Sequence, residues 1–257
     1  MTIGNRIMRN FVEYPNLPAG KVIIVGVGET YASTLESALK PYGVRVLSCP
    51  DNPFVDGRLR SHIDLSVFHL GENNFVLSTS AAQSDFESQL RELGAEILIS
   101  ELRQAPVYPN DANLCALSLG SRAYHNINIS DGLIRERFLG RFTHVAQGYA
   151  KCAVCPVTEH AAITSDVGMA KILFKYGLDV LEIAPGSIVL EGFSEGFIGG
   201  AAFKLAPDIL AFTGRLDSHP DKAAILGFLK KHRVKAVFLS SAPITDMGSV
   251  LPICENR

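Results

Sequence analysis

The chain has no excess of charge of either sign, no long apolar run and no even set of cysteines, and each absence narrows what it can be. Its 24 Lys and Arg oppose 26 Asp and Glu, a net charge of −2. That balance argues against a nucleic-acid partner held by a phosphate-neutralising surface. No apolar run approaches the ~20 residues that cross a bilayer, so no membrane partner is expected. The segment 1–14 carries Arg6 and Arg9 but no apolar h-region, and does not read as a secretory signal. Five cysteines fit free thiols in a reducing cytoplasm better than a disulfide framework. A cytoplasmic protein is expected. Neither a Walker-type phosphate loop nor a GxSxG elbow is present. Nor is there a Ser/Gly-rich linker or a break in composition, so one domain is expected over residues 21–257, preceded by a lead-in over residues 1–20. With 47% hydrophobic and 19% charged residues, a large core is available.

What the chain does have is repetition. A strand at 63–70 is followed by a turn at Glu72-Asn73-Asn74 and a strand at 75–78. A helical stretch with Phe86 and Leu90 comes next, then Leu93-Gly94 and a strand at 95–99. The same order recurs from Asn113, Lys151 and Phe197. A period of roughly 45 residues is the range of propellers, solenoids and arrays. The last strand, 248–253, has no partner after it, and the first strong strand, 21–27, has none before it. Their pairing would close a ring and leave no open edge. The fold expected is therefore α/β, with five strand-strand-helix-strand units.

The unit boundaries carry local signals. Gly43, Gly94, Gly140 and Gly177 each stand between a helix and an alternating strand, where the left-handed conformation ends a helix. In one unit His232-Arg233 stands there instead, so that cap must differ. The helices at 34–40, 167–175 and 221–231 carry ordinary core-facing stripes, and the one opened by Ser130-Asp131-Gly132 is short. Hairpin turns are read at 72–74, 120–121, 158–160 and 206–208.

A ring of such units resembles the pentein fold, the five-bladed α/β propeller of arginine and agmatine deiminases, dimethylarginine hydrolases and amidinotransferases. The superfamily also includes a non-catalytic ribosome anti-association factor, and this chain looks most like a bacterial branch of it. The resemblance implies a pore holding a cysteine nucleophile, a His-x-Asp pair and carboxylates that grip a guanidinium. Planar, donor-rich guanidinium suits bidentate carboxylates. A thiolate attacks its carbon, and histidine protonates the leaving amine and then activates water.

Carried over residue by residue, His219-Pro220-Asp221 resembles the His-x-Asp pair. It also reads as a helix cap with Pro220 at the first position. Tyr108-Pro109-Asn110-Asp111 resembles an aromatic-x-Arg-Asp segment with Asn110 in place of arginine, and equally a loop turn. The stretch 195–201 resembles Glu-Gly-Gly-Asp, but Ile198 and Ala201 occupy the acidic positions; Glu191 and Glu195 lie out of register. Where the nucleophilic cysteine should begin the last strand, the chain has Gly248 and Ser249, with Cys254 only at the tail. No arginine-deiminase activity is expected. If the protein is catalytic in the amidinohydrolase or amidinotransferase manner, its thiolate must come from elsewhere; Cys152 beside Lys151 is a candidate, though it reads more readily as a buried structural cysteine.

The repeat itself offers a second route to a site. Residues that start each unit's first strand converge on the ring axis: His62 and Asp64, Asp111 and Asn113, Lys151 and Cys152, Glu195, and Asp246 with Ser249. The leading expectation is an enzyme-like pocket for a cationic, guanidine- or amine-bearing metabolite; the alternative is a polar plug paired within itself, in a non-catalytic pentein that acts as a binding or assembly factor. Cys152-Ala153-Val154-Cys155 has CxxC spacing, but on a strand the two side chains face opposite ways. No second Cys/His pair at zinc spacing accompanies it, so neither metal nor cofactor is expected. The run 25–31, with Gly26 and Gly28 but Tyr31 for a third glycine, leaves dinucleotide binding as a minor alternative.

Overall fold

The computed structural model describes residues 9–257; the first eight residues of the expected lead-in lie outside that range. In chain order the elements are β1 (Arg9–Phe11), β2 (Lys21–Gly28), α1 (Glu29–Leu39), β3 (Arg45–Cys49), β4 (Val67–Gly71), β5 (Asn74–Leu77), α2 (Asp85–Leu93) and β6 (Glu96–Ile99). Next come β7 (Leu117–Leu119), β8 (Arg122–His125), α3 (Gly132–Arg137), β9 (Phe142–His144), α4 (Ala150–Ala153), β10 (Val154–Thr158), β11 (Ala161–Thr164), α5 (Val167–Lys175) and β12 (Asp179–Glu182). The chain ends with β13 (Ala202–Ala206), β14 (Ile209–Phe212), α6 (Lys222–Lys231), β15 (Lys235–Phe238) and β16 (Leu251–Asn256). No helix among the described residues is long and apolar enough to cross a membrane.

These strands form five small sheets: β4-β5-β6, β7-β8-β9, β10-β11-β12, β13-β14-β15 and β1-β16-β2-β3. In each, an antiparallel pair is followed by a parallel strand reached through a helix, and in four of the five that pair is a hairpin. The fifth blade is assembled from both ends of the chain, with Leu251 opposite Gly26 and Glu255 opposite Val22. The expected closure is therefore formed, and a three-residue strand from the lead-in joins it, Phe11 lying opposite Cys254. The doubly wound sheet that dinucleotide binding would need is absent among the described residues, because each sheet contains a single parallel pair.

Alternation along the strands closes the ring. In β5, Val76 joins an apolar cluster shared with the next blade, through Leu114, Ala116 and Ile134. Its neighbours Phe75 and Leu77 join Ile24, Leu47 and Ile253 of the fifth blade. Further clusters join the second and third blades, the third and fourth, and the fourth and fifth. Successive side chains of a strand point to opposite faces, and here both faces are buried against a neighbouring blade. That is why the strands are apolar on both sides and not on one.

Local starts and stops follow the sequence with a few departures. Ser84, Asp131 and Asp166 cap α2, α3 and α5 by accepting N–H bonds from Glu87, Leu133 and Met169. The four junction glycines all have positive φ, and at the fifth junction Arg233 takes the same left-handed conformation, φ 58°. Residues 63–65, expected as strand, form a short 3-10 turn before β4. Cys152 likewise precedes its strand and sits in the one-turn helix α4.

Candidate functional site

One buried cluster draws on all five blades, from the segments that lead into each blade's first strand. Asp64 comes from the turn before β4, Cys115 from the loop before β7, Lys151 and Cys152 from α4, Gly199 from the loop before β13 and Ser249 from the loop before β16. The Ser249 hydroxyl donates to Asp64 Oδ2 at 2.6 Å, and the Cys152 thiol donates to the same oxygen at 2.7 Å. Lys151 Nζ donates to Ser249 Oγ at 3.1 Å and to the Gly199 carbonyl at 3.2 Å. Cys115 Sγ lies 3.9 Å from Cys152 Sγ. Each of these side chains is buried.

Asp246 and His62 flank this network. Asp246 Oδ2 accepts the N–H of Phe197 and Oδ1 that of Gly248, both at 2.9 Å. A side chain at Gly200 would collide with the Asp246 carboxylate, and one at Gly248 with His62. Only glycine allows these backbones to close on the two groups. A ring nitrogen of His62, Cys152 Sγ and a carboxylate oxygen of Asp246 all lie within 4.8 Å of one another. The same holds for Asp64, Cys115 and Cys152.

The electrostatics keep the thiols protonated. The hydrogen bond with Cys115, then burial and the nearby Asp64, hold Cys152 well above the ordinary thiol range. Burial raises Cys115. Burial also raises Asp246, opposed by His62 and the two backbone N–H bonds. Ser249, at the place where the resemblance expects a cysteine, is fully buried with a left-handed φ of 75°. A hydroxyl held there as donor to Asp64 is positioned by its backbone, at a cost of roughly 1–3 kcal/mol for such a conformation. The space left is small: a cavity of about 20 Å³ reaches Asp64 and Lys151 from Pro15 and Asn16 of the lead-in, about enough for one water.

Not every residue expected at the axis reaches it. Asp111 is buried and bonded outside the axial network, its Oδ2 accepting the Tyr149 hydroxyl at 2.6 Å. Burial raises its carboxyl. Asn113 is buried with Oδ1 unpartnered, and Cys115, two residues further on, is what the second blade contributes. Glu195 makes no hydrogen bond or ion pair among the described residues; the backbone of Gly199 reaches the axis instead, because a glycine can pack on the α4 carbonyls.

His219 and Asp221 form a local turn. His219 Nδ1 accepts the Asp221 N–H at 3.0 Å, and Asp221 Oδ2 accepts the Ala184 N–H at 2.6 Å. No hydrogen bond or ion pair among the described residues joins either to the axial cluster. Burial lowers the His219 imidazole, and its Nε2 has no partner. Cys254 lies on β16 in the apolar seam with the first blade, away from the axial network. Cys152 and Cys155 enter different clusters, but not as two residues of one strand: Cys152 lies in α4, and Cys155 on β10 enters the seam between the third and fourth blades.

Sequence reasoning missed Cys115 and Tyr149. Their local surroundings resemble any buried thiol or loop aromatic, and only contacts between blades reveal them.

Comparison with solved structures shows the fold to be that of the penteins. The chain is similar to SxtG, an amidinotransferase from Microseira wollei in the saxitoxin biosynthetic pathway, at 11% identity over 96% of this chain and 97% of that one, with a TM-score of 0.57. It is similar to inosamine-phosphate amidinotransferase from Streptomyces griseus at 12% identity, 95% coverage of each chain and a TM-score of 0.57. It is also similar to C. jejuni agmatine deiminase at 11% identity, with 97% and 96% covered and a TM-score of 0.50. No curated protein sequence matches the chain. Residues 27–251 match the model of the Family of unknown function (DUF6873), and the chain belongs to that family.

Proposed function

We propose that this pentein has an axis filled by its own groups and acts as a binding or assembly factor, not as an amidinohydrolase or amidinotransferase. The observation that carries the reading is the Lys151 ammonium, buried among Ser249 Oγ and the Gly199 carbonyl, one hydroxyl away from Asp64. A cation from the chain itself stands beside a carboxylate that could otherwise face a guanidinium. The remaining void of about 20 Å³ is too small for that planar group. Ser249 needs a strong adjacent base to act as a nucleophile, and its neighbours are an ammonium, which has no free electron pair, and a carboxylate, which accepts its hydrogen bond but is a weak base. Incubation with arginine or agmatine, followed by measurement of citrulline and ammonia, should show no release. Release that disappears in Cys152→Ser and His219→Ala would refute the reading.

A second reading rests on a separate observation. At the axis, Asp64 Oδ1 is a buried acceptor without a donor, and buried acceptors of this kind are rare. A guanidine- or amine-bearing metabolite would supply one if the axis opened. Thermal-shift measurements with arginine and agmatine separate the two readings. Stabilisation of the wild type that is lost in Asp64→Asn favours the pocket. Stabilisation seen only in Lys151→Met favours the self-filled axis.

A further inference from the structure

We infer that Cys152, His62 and Asp246 form a site for one thiophilic divalent cation of the zinc class. This goes beyond the reading above and does not depend on it. The three donors come from separate segments and lie within 4.8 Å of one another, with 3%, 4% and 1% of their residues' surface exposed. Zinc holds sulfur at about 2.3 Å, and nitrogen and oxygen at about 2.0–2.2 Å. Its donors therefore sit roughly 3.3–3.8 Å apart around a tetrahedron, so the triad needs to close by only about an ångström.

A second observation points to a ligand. His62 Nε2 is buried and has no hydrogen-bond partner, as do Nδ1 of His69 and His125 and Nε2 of His219; of these four histidines only His62 also has a thiol and a carboxylate within 4.8 Å of a ring nitrogen. Asp246 is aimed by the N–H groups of Phe197 and Gly248, the kind of outer support that orients ligating carboxylates. One nitrogen, one sulfur and one oxygen make a borderline-soft set, suited to zinc and not to magnesium or calcium.

Binding is a proton exchange without redox change. The Cys152 S–H bond breaks, the sulfur bonds the cation, and the proton leaves to solvent. Thiolate and carboxylate then neutralise the two positive charges, while Lys151 and Asp64 balance each other alongside. Three protein ligands leave a fourth position for water, and the 2.7 Å contact between Cys152 and Asp64, made by the proton that leaves, opens as the sulfur turns to the cation.

The alternative triad of Asp64, Cys115 and Cys152 is less suited. It would require two thiols to lose their protons instead of one, and Asp64 Oδ2 would have to give up the Ser249 hydroxyl as well.

The test is the metal content of the full-length protein produced with zinc, together with cobalt uptake during refolding of metal-stripped protein. The expected result is one metal per chain and a thiolate-to-cobalt charge-transfer band. Both should be lost in Cys152→Ser, His62→Gln and Asp246→Asn, and kept in Cys115→Ser and Cys254→Ser. X-ray absorption on the wild type needs no variant to fold, and should count one sulfur in the metal's shell. Two sulfurs, loss of metal in Cys115→Ser, retention in His62→Gln, or no metal bound by folded wild type would each overturn the assignment.

Discussion

The seams between blades and the axis they surround are equally buried and differently held. Each seam is an apolar cluster shared by two successive blades. The axis holds carboxylates, thiols, an ammonium and a hydroxyl in one hydrogen-bonded network. Apolar contact is non-directional and scales with area, so a seam forms from any two strands that alternate correctly. A polar cluster succeeds only when each group finds its partner. The seams therefore supply the stability, and the axis is where the fold can carry specific chemistry.

The sharpest way to break that comparison is to empty a seam. Phe75 is fully buried between the first and fifth blades. Phe75→Ala should lower stability by about 3–5 kcal/mol, the usual cost of a large core aromatic, read from the midpoint of denaturant unfolding. The closing blade should suffer with it, because Ile24 and Ile253 line the same cluster.

Acid tests the seams through their polar exceptions. His69 stacks on Phe75 at 4.3 Å and donates from Nε2 to the Glu72 carbonyl; His125 is buried against the Gly148 carbonyl. Burial lowers each imidazole to about 4. Unfolded, each takes up its proton near 6.5; folded, only near 4. Between those values the unfolded chain binds more protons, so stability falls as pH falls, by about 3 kcal/mol per histidine over the whole window. His69→Gln should remove one proton from the slope of unfolding free energy against pH. An unchanged slope would show that His69 titrates normally in the folded protein.

At the axis the expected loss is smaller and differently distributed. Asp64→Asn keeps the shape but removes the acceptor shared by Ser249 and Cys152. A loss of roughly 1–3 kcal/mol is expected for donors left poorly paired. Far-ultraviolet circular dichroism should stay native, since the seams are untouched. A loss as large as that of Phe75→Ala would mean that the axis, too, is a main source of stability.

This division explains what was legible in the sequence. Alternation, junction glycines and capping residues are local, and they give the units, the order of strands and the closure of β16 on β2. The axial cluster depends on contacts between residues 88, 98 and 185 positions apart. Register within the repeat brought Asp64, Lys151, Cys152, Asp246 and Ser249 to the axis. Asp111, Asn113 and Glu195 do not join the axial network, because a one-turn helix, a 3-10 turn and tight glycine loops shift each blade's entry by a few residues. His219-Pro220-Asp221 matched a motif whose local spacing is also that of a helix start. Here both side chains are spent on neighbouring backbone N–H groups.

The smallest effect sharpens the comparison among the blades themselves. Four blades end their helix with glycine at a positive φ, between 69° and 98°, and the fourth in the ring uses Arg233 at 58°. The bonds that close the turn are the same. Arg233 N–H reaches the Lys230 carbonyl at 3.1 Å and Val234 N–H the Leu229 carbonyl at 2.9 Å, as Gly94 and Ala95 reach Arg91 and Leu90 at 2.9 and 3.0 Å. The left-handed conformation costs a side-chain-bearing residue roughly 1–2 kcal/mol, while glycine costs about 0.5–1 kcal/mol in chain entropy. Arg233→Gly should therefore stabilise the protein by about 1 kcal/mol or less, a rise of ~2–4 °C in Tm at most for a domain of this size. The converse, Gly177→Ala, should cost a similar amount. A Cβ there meets nothing within 4 Å, so any loss comes from the backbone alone. If Arg233→Gly lowers Tm instead, the arginine side chain contributes more than its conformation costs, and the odd blade is built differently for a reason of its own.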